Sequence, residues 1–283
     1  MRLARLRTSW QLSWLIVGLA AIASGGGLLF PNIYQETDAF FRTAWYGNDW
    51  VTLVAVVPML VLALWWSWRG SQRAQLVWLG GLWYMLYNYA FYLFGAVFNA
   101  FFLLYVALFT LSLYALFLGL YHLGLESIRE SFRDRTPVRW ISGFLIFITL
   151  PLLIVEGGQC VNFIFTGKEP DIPVLIFALD LSFVIPASIL GGILLWQRRA
   201  WGFVLAALML VKGATYGLVL TTNTLLINAR KLVETPDPLL PFYMIVAVGS
   251  LVFGWLLLRN LREDETTKTS AKSGTLPSSP DTQ

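Results

Sequence analysis

The chain has 283 residues, of which 57% are hydrophobic and 13% charged, with a mean hydropathy of +0.67 and a formal net charge of +4. A soluble domain carries about 25% charged residues, and a globule this poor in charge would expose more apolar surface than a dispersed monomer tolerates. Composition therefore predicts an all-α, polytopic transmembrane helical bundle. Cys160 is the single cysteine and His122 the single histidine, which excludes an intrachain disulfide, a CxxC centre, bis-histidine haem ligation and HExxH zinc chemistry. No cofactor and no metal set is expected.

Crossing a hydrocarbon core of about 30 Å takes about 20 mostly apolar residues. Eight segments meet that length, at about 9–30, 49–68, 74–95, 98–123, 139–158, 172–196, 200–222 and 239–259. None shows the period-two alternation of a strand. Together they form one transmembrane domain over 1–262. The first follows Arg2, Arg5 and Arg7 and contains Ala21-Ile22-Ala23, which reads as a signal-peptide cleavage site. The apolar run continues through Gly25-Gly26-Gly27 to Phe30, longer than a usual signal core, so a retained first helix is the favoured reading. Cleavage would leave seven spans.

The connections follow in order. In the first outer loop, 31–48, the segment Asp38–Tyr46 is expected to lie as a short amphipathic helix on the outer surface. Further outer loops are placed at 159–171 and 223–238. Within 124–138, Glu126, Arg129, Glu130, Arg133 and Asp134 recur at helical pair spacing, so the fourth helix is expected to project into the cytoplasm as a solvated end, with a docking role as the alternative. The tail, 263–283, is rich in Thr, Ser, Lys and Pro, lacks aromatic residues and is expected to be disordered and cytoplasmic.

Basic residues set the orientation. Fifteen of the 20 fall on one side: Arg2, Arg5, Arg7, Arg69, Arg73, Arg129, Arg133, Arg135, Arg139, Arg198, Arg199, Arg259, Arg262, Lys268 and Lys272. Arg42, Lys168, Arg230 and Lys231 fall on the other, and Lys212 lies within a span. This predicts a multi-pass protein of the plasma membrane with both termini cytoplasmic. Trp65, Trp66, Trp68, Trp78, Trp140, Trp196 and Trp201 are expected to form the inner aromatic belt. The positive charge is thus a topology signal, and no nucleic-acid partner is implied.

Function in such a bundle is sought at ionisable groups within spans, each of which costs about 2.5–3.5 kcal/mol at the helix centre. Three stand out: Glu156, Asp180 and Lys212. Asp180 lies eight residues from Ile172, about 12 Å deep, and Lys212 ten residues before Thr222, about 15 Å deep. Matching depths on consecutive spans predict an intramembrane ion pair, which could equally serve packing alone. Lys212, Tyr216 and Asn223 share a helical face, and Gly213 with Gly217 forms a GxxxG pair suited to close helix approach. Thr149, Glu156 and Cys160 share another face, beside a Gly157-Gly158 pair expected to loosen the helix end. Tyr84, Asn88, Tyr92, Gly95 and Asn99 recur at steps of four, four, three and four, a continuous helical stripe. Buried Asn88 also has a plainer reading as interhelical glue. Pro58, Pro151 and Pro186 should kink their spans. Asn88, Tyr92, Asn99, Glu156, Asp180, Lys212 and Tyr216 are the residues expected to line one outward-facing polar cavity.

At Tyr87-Asn88-Tyr89-Ala90-Phe91-Tyr92-Leu93-Phe94-Gly95, with Asn99 and Leu210-Val211-Lys212-Gly213, the chain resembles uncharacterised bacterial polytopic membrane proteins. That resemblance implies a bacterial inner-membrane location and no particular biochemistry. Three functions are compatible with the residues. The first is a carrier or receptor-like protein binding a small polar or anionic solute, with Lys212 drawing an anionic group and Asp180 and Glu156 carrying protons. The second is an intramembrane enzyme acting on a lipid through Glu156 or Asp180; the lack of a nucleophile constellation ranks it lower. The third is a structural or assembly subunit of a membrane complex. The bilayer is the one partner implied throughout, and oligomeric state is left open.

Overall fold

The computed structural model describes residues 2–30, 32–170 and 173–263, and these are helical almost throughout. In chain order the elements are α1 (Arg2–Leu29), α2 (Ala39–Val51), a π-turn (Thr52–Val56), α3 (Val57–Trp68), α4 (Gln72–Gly95), α5 (Phe102–Tyr121), α6 (Leu125–Ser131), α7 (Val138–Thr166), α8 (Val174–Leu179), a second π-turn (Asp180–Val184), α9 (Ile185–Trp196), α10 (Ala200–Ala229) and α11 (Leu240–Arg259). Among the described residues seven helices are long and apolar enough to cross a membrane: Leu6–Leu29, Ala39–Trp68, Phe102–Tyr121, Val138–Thr166, Val174–Trp196, Ala200–Ala229 and Leu240–Arg259. Helix α4 has 24 residues and, at 1.5 Å per residue, is also long enough. Four tyrosines, Asn88 and the polar first turn keep it out of that apolar set, and it packs inside the bundle against α3, α5 and α10.

The bundle has two ends. At the terminal end, where the α11 exit lies, Arg73 donates to Leu261 O at 2.6 Å, Arg198 to Asp134 O at 2.6 Å, and Phe132 pairs with Leu261 in an isolated antiparallel bridge. At the far end, Asn223 donates to Asn48 at 3.3 Å and Arg230 to Thr43 at 2.9 Å. Trp65, Trp66, Trp68, Trp140, Trp196 and Trp201 are exposed. Trp78 is not part of that belt: it is buried, and its indole N–H donates to Ser13 Oγ at 2.8 Å, tying α4 to α1.

Several connections depart from expectation, each for a local reason. Asp38 caps α2 by accepting from Phe40 N, and Thr43, Trp45, Gly47, Asn48 and Asp49 on that helix are buried. The segment expected to lie on the outer surface is therefore about the first two turns of a 30-residue helix long and apolar enough to cross a membrane. The 124–138 region does not extend the fourth span; the helix stops at Tyr121 and α6 is a separate short helix, with an exposed Glu126–Arg129 pair at 3.5 Å. Helix α7 runs past Gly157-Gly158 to Thr166, where Gly167 ends it in the left-handed region at φ 70°, so the glycine pair does not loosen a helix end. Ile172 and the tail from 264, expected to be disordered, lie outside the described residues.

Two of the three prolines produce the π-turns. Proline has no N–H to give the carbonyl four residues back, and its ring clashes with that carbonyl. Ahead of Pro58 the chain widens instead, Val57 N–H reaching Thr52 O; ahead of Pro186, Ile185 N–H reaches Asp180 O. Helix α10 is the central post, packed against α2, α4, α9 and α11. Its GxxxG pair makes the expected close approach. A Cβ on Gly217 would stand 2.7 Å from Ala247 N, and one on Gly213 would stand 2.5 Å from Ser250 Oγ, so small residues let α11 lie directly on α10.

Candidate functional site

Helix α4 presents tyrosines to two separate carboxylates. The Tyr87 hydroxyl donates to Asp180 Oδ1 at 2.8 Å, and the Tyr92 hydroxyl donates to Asp49 Oδ1 at 2.9 Å. Three residues before Tyr87 on the same helix, Tyr84 shares a hydrogen bond of 2.8 Å with Thr52. Asp180 and Thr52 are the residues whose carbonyls close the two π-turns, so each widened turn is anchored through its first side chain to α4. Widened turns of this kind recur at functional sites.

The first cluster gathers four of the expected residues and one that was not singled out. Lys212 Nζ stands 4.1 Å from the ring centroid of Tyr87 and 4.5 Å from that of Tyr216, and the two rings meet edge to face at 4.8 Å. Such cation–π contacts strengthen as water is excluded, and Lys212 is buried at 7% exposure. Asp180 and Glu156 are also buried and lie within electrostatic reach of Lys212. The expected Asp180–Lys212 ion pair is not a direct one: among the described residues no nitrogen–oxygen contact within 4.0 Å joins Lys212 to a carboxylate. Tyr87 contacts both, its ring face toward the ammonium and its hydroxyl on Asp180. One Glu156 oxygen, Oε2, is buried without a hydrogen-bond partner.

The second cluster centres on an acid that the apolar patterning of the sequence does not mark. Asp49, 2% exposed, accepts from Tyr34 and Tyr92, while Tyr92 also reaches Trp45 O at 3.3 Å. The Tyr105 ring lies tilted beside Tyr92 with centroids 5.0 Å apart, and the Tyr89 and Tyr105 hydroxyls and Ser24 Oγ are buried nearby. No lysine or arginine nitrogen lies within 4.0 Å of Asp49 among the described residues. Tyr34, in the loop between α1 and α2, has its phenol pushed well above its ordinary range by burial and then by the Asp49 charge. Gly27 of α1 makes room here: a Cβ on it would collide with the Asp49 carboxylate and the Tyr34 hydroxyl.

The seven expected residues are therefore divided. Glu156, Asp180, Lys212 and Tyr216 come together, with Tyr87 added. Tyr92 belongs with Asp49. Asn88 is 1% exposed with neither amide atom partnered, and by register it shares the face of Tyr84 and Tyr92. Asn99 is not on the helical stripe, because α4 ends at Gly95. It caps the turn into α5, its Oδ1 accepting from Phe101 N at 2.9 Å and its amide donating to Val97 O at 3.1 Å. Tyr87 was legible as the i+3 neighbour of Tyr84 within the same tyrosine-rich segment. Asp49 carried only the weak signal of a helix cap eleven residues earlier.

A cavity borders the first cluster at Tyr87. It is an apolar cleft of about 390 Å³ between α4, α5 and the α8 π-turn, with Tyr87 in its wall and Phe94, Phe117 and Phe183 exposed around it. No family model, curated protein or solved structure matches the chain.

Proposed function

We propose that the protein crosses a bacterial inner membrane eight times, with α4 as the additional crossing and both termini cytoplasmic, and that its Lys212 cluster binds a small anionic or polar solute. The topology rests on the fifteen-to-four division of basic residues and on an even number of crossings. The site reading rests on one observation: Lys212 is backed by two tyrosine faces, yet no carboxylate oxygen lies within 4.0 Å of its ammonium among the described residues. An arriving anion would complete that coordination. Protonation of Asp180 and Glu156 would balance the added charge, since the trio is neutral with one carboxylate protonated and carries −1 with none protonated, so solute and proton occupancy are coupled by charge.

The test is thermal unfolding of the purified full-length protein against chloride, phosphate, acetate and glutamate, with mass spectrometry for a co-purified small molecule. A stabilising anion whose effect disappears in Asp180→Asn/Lys212→Met supports the site. Binding unchanged in that double variant overturns it.

The apolar cleft beside Tyr87 favours a second reading, in which a lipid-linked substrate enters from the bilayer and Glu156 or Asp180 acts as acid or base. A co-purified lipid, with turnover lost in Glu156→Gln while the protein stays folded, would select this reading over the first.

A further inference from the structure

Two of the four basic residues assigned to the sparsely charged end meet at one place. A cavity of about 580 Å³ at the far end is walled by Arg42 and Tyr46 of α2, Arg230 at the end of α10, and Trp50. Arg230 is held in position: its Nη1 donates to Thr43 Oγ1 at 2.9 Å, and its guanidinium lies 5.3 Å from the Tyr46 ring centroid. The cavity lining includes no acidic residue, and among the described residues neither arginine has a carboxylate within 4.0 Å. Two guanidiniums without counter-ions beside an interfacial tryptophan form a phosphate-binding arrangement, because the planar fork of arginine matches phosphate oxygens.

The cavity is not closed below. Trp50 and Leu226 also line a second, apolar cavity of about 430 Å³ that runs between the α2 π-turn and α10, past Val54, Ala55 and Thr222 to Leu218. From Leu226 to Leu218 is eight residues, about 12 Å of helix, close to half of a hydrocarbon core of about 30 Å. Charge above and a one-leaflet-deep apolar groove below, joined through shared residues, have the profile of one amphiphile. We propose that this is a binding site for an anionic phospholipid, its phosphate between Arg42 and Arg230 and an acyl chain along Trp50, Val54 and Leu218. The site is separate from the Lys212 cluster and does not depend on the function assigned there.

The experiment is native mass spectrometry and thermal unfolding of the full-length protein in detergent, with phosphatidylglycerol, phosphatidylcholine or inorganic phosphate added. The expected result is preference for phosphatidylglycerol over phosphatidylcholine on the order of thirtyfold, from two arginines, with inorganic phosphate alone giving no comparable protection. In Arg42→Gln/Arg230→Gln the preference disappears while phosphatidylcholine binding is retained. Ala55→Trp, which fills the groove and leaves both arginines, weakens binding of the whole lipid. Equal retention of the two lipids by the wild-type protein overturns the proposal, and that measurement needs no variant to fold. Protection by inorganic phosphate equal to that by phosphatidylglycerol also overturns it, by making the pocket a free-anion site.

Discussion

The two buried carboxylates held by α4 are built alike and compensated differently. Asp180 accepts one hydrogen bond from Tyr87 and shares its surroundings with a second acid, Glu156, and a lysine. Asp49 accepts from two tyrosines and has neither a second acid nor a basic nitrogen within 4.0 Å among the described residues. A charge removed from water needs an opposite charge or a dense set of donors. The first site uses the former and the second the latter. An arrangement of net charges can respond to an incoming ion, whereas a carboxylate enclosed by hydroxyls and packed against a glycine is suited to fastening helices. This difference argues for placing function at Lys212 and structure at Asp49.

The largest test of that division removes the compensation. Lys212→Met leaves Asp180 and Glu156 facing each other without the cation in their reach, and should cost up to about 3–5 kcal/mol, the range for leaving a buried charge uncompensated. Asp49→Asn keeps an oxygen acceptor for the tyrosines and removes a charge with no cationic partner; its cost should stay within about 1 kcal/mol. Unfolding of the purified protein by heat or denaturant measures both. An Asp49→Asn variant as damaged as Lys212→Met would mean that Asp49 holds a cation, and the contrast would collapse.

Packing gives the next contrast. Gly27→Val drives side-chain atoms into Asp49 and Tyr34 and should destabilise by about 1–3 kcal/mol, as overpacking does. Gly157→Ala on α7, where an added Cβ meets nothing within 4 Å, should be neutral or stabilise by about 0.4–1 kcal/mol through the unfolded chain. Equal effects in the same unfolding assay would remove the argument that Gly27 is a glycine in order to seat Asp49.

How visible each site was beforehand follows from where its charges stand in the chain. Asp180 and Lys212 interrupt apolar runs, and the short turn at Gln197–Arg199 makes their helices antiparallel neighbours, so depth alone placed them together. Asp49 opens the apolar run 49–68, where loop charges normally stand. Only the Asp38 cap and the burial of Gly47 and Asn48 make its surroundings a helix interior. Hydrophobic patterning marks where a span is apolar and cannot mark where a helix continues through polar residues. The same blindness concealed the length of α7 beyond Gly158. The stripe through Asn99 failed for the converse reason: four-residue spacing continues in a sequence after the backbone has left the helix at Gly95. The side on which Tyr87 meets its acid depends on the packing of α4 against α8, which no local pattern specifies.

Single hydroxyls should separate the sites more finely. Tyr87→Phe removes the hydrogen bond to Asp180 and leaves the lysine without part of its setting; about 1.5–3 kcal/mol is expected for a bond to a charged group. Tyr92→Phe leaves Asp49 with Tyr34, and a loss nearer the membrane average of about 0.6 kcal/mol is expected. The reverse order, measured by unfolding, would move the weaker compensation to Asp49.

The smallest effect concerns Tyr34, and it appears only in alkali. Burial, and then the Asp49 charge, raise its phenol well above the ordinary range in the folded protein. The unfolded chain therefore releases this proton first, near pH 10, while the folded protein retains it. Stability from this group is complete below about pH 10 and falls by up to about 1.4 kcal/mol per pH unit above it, until the folded phenol itself ionises. Tyr34→Phe should lower stability at neutral pH by the lost hydrogen bond and also remove one proton's share of the alkaline slope. The two effects separate cleanly, because a hydrogen bond lost at neutral pH shifts the whole stability curve while a lost ionisation changes its gradient. An unchanged slope above pH 10 would show that Tyr34 is not enclosed with Asp49, and the tyrosine-compensated half of the comparison would lose one of its two donors.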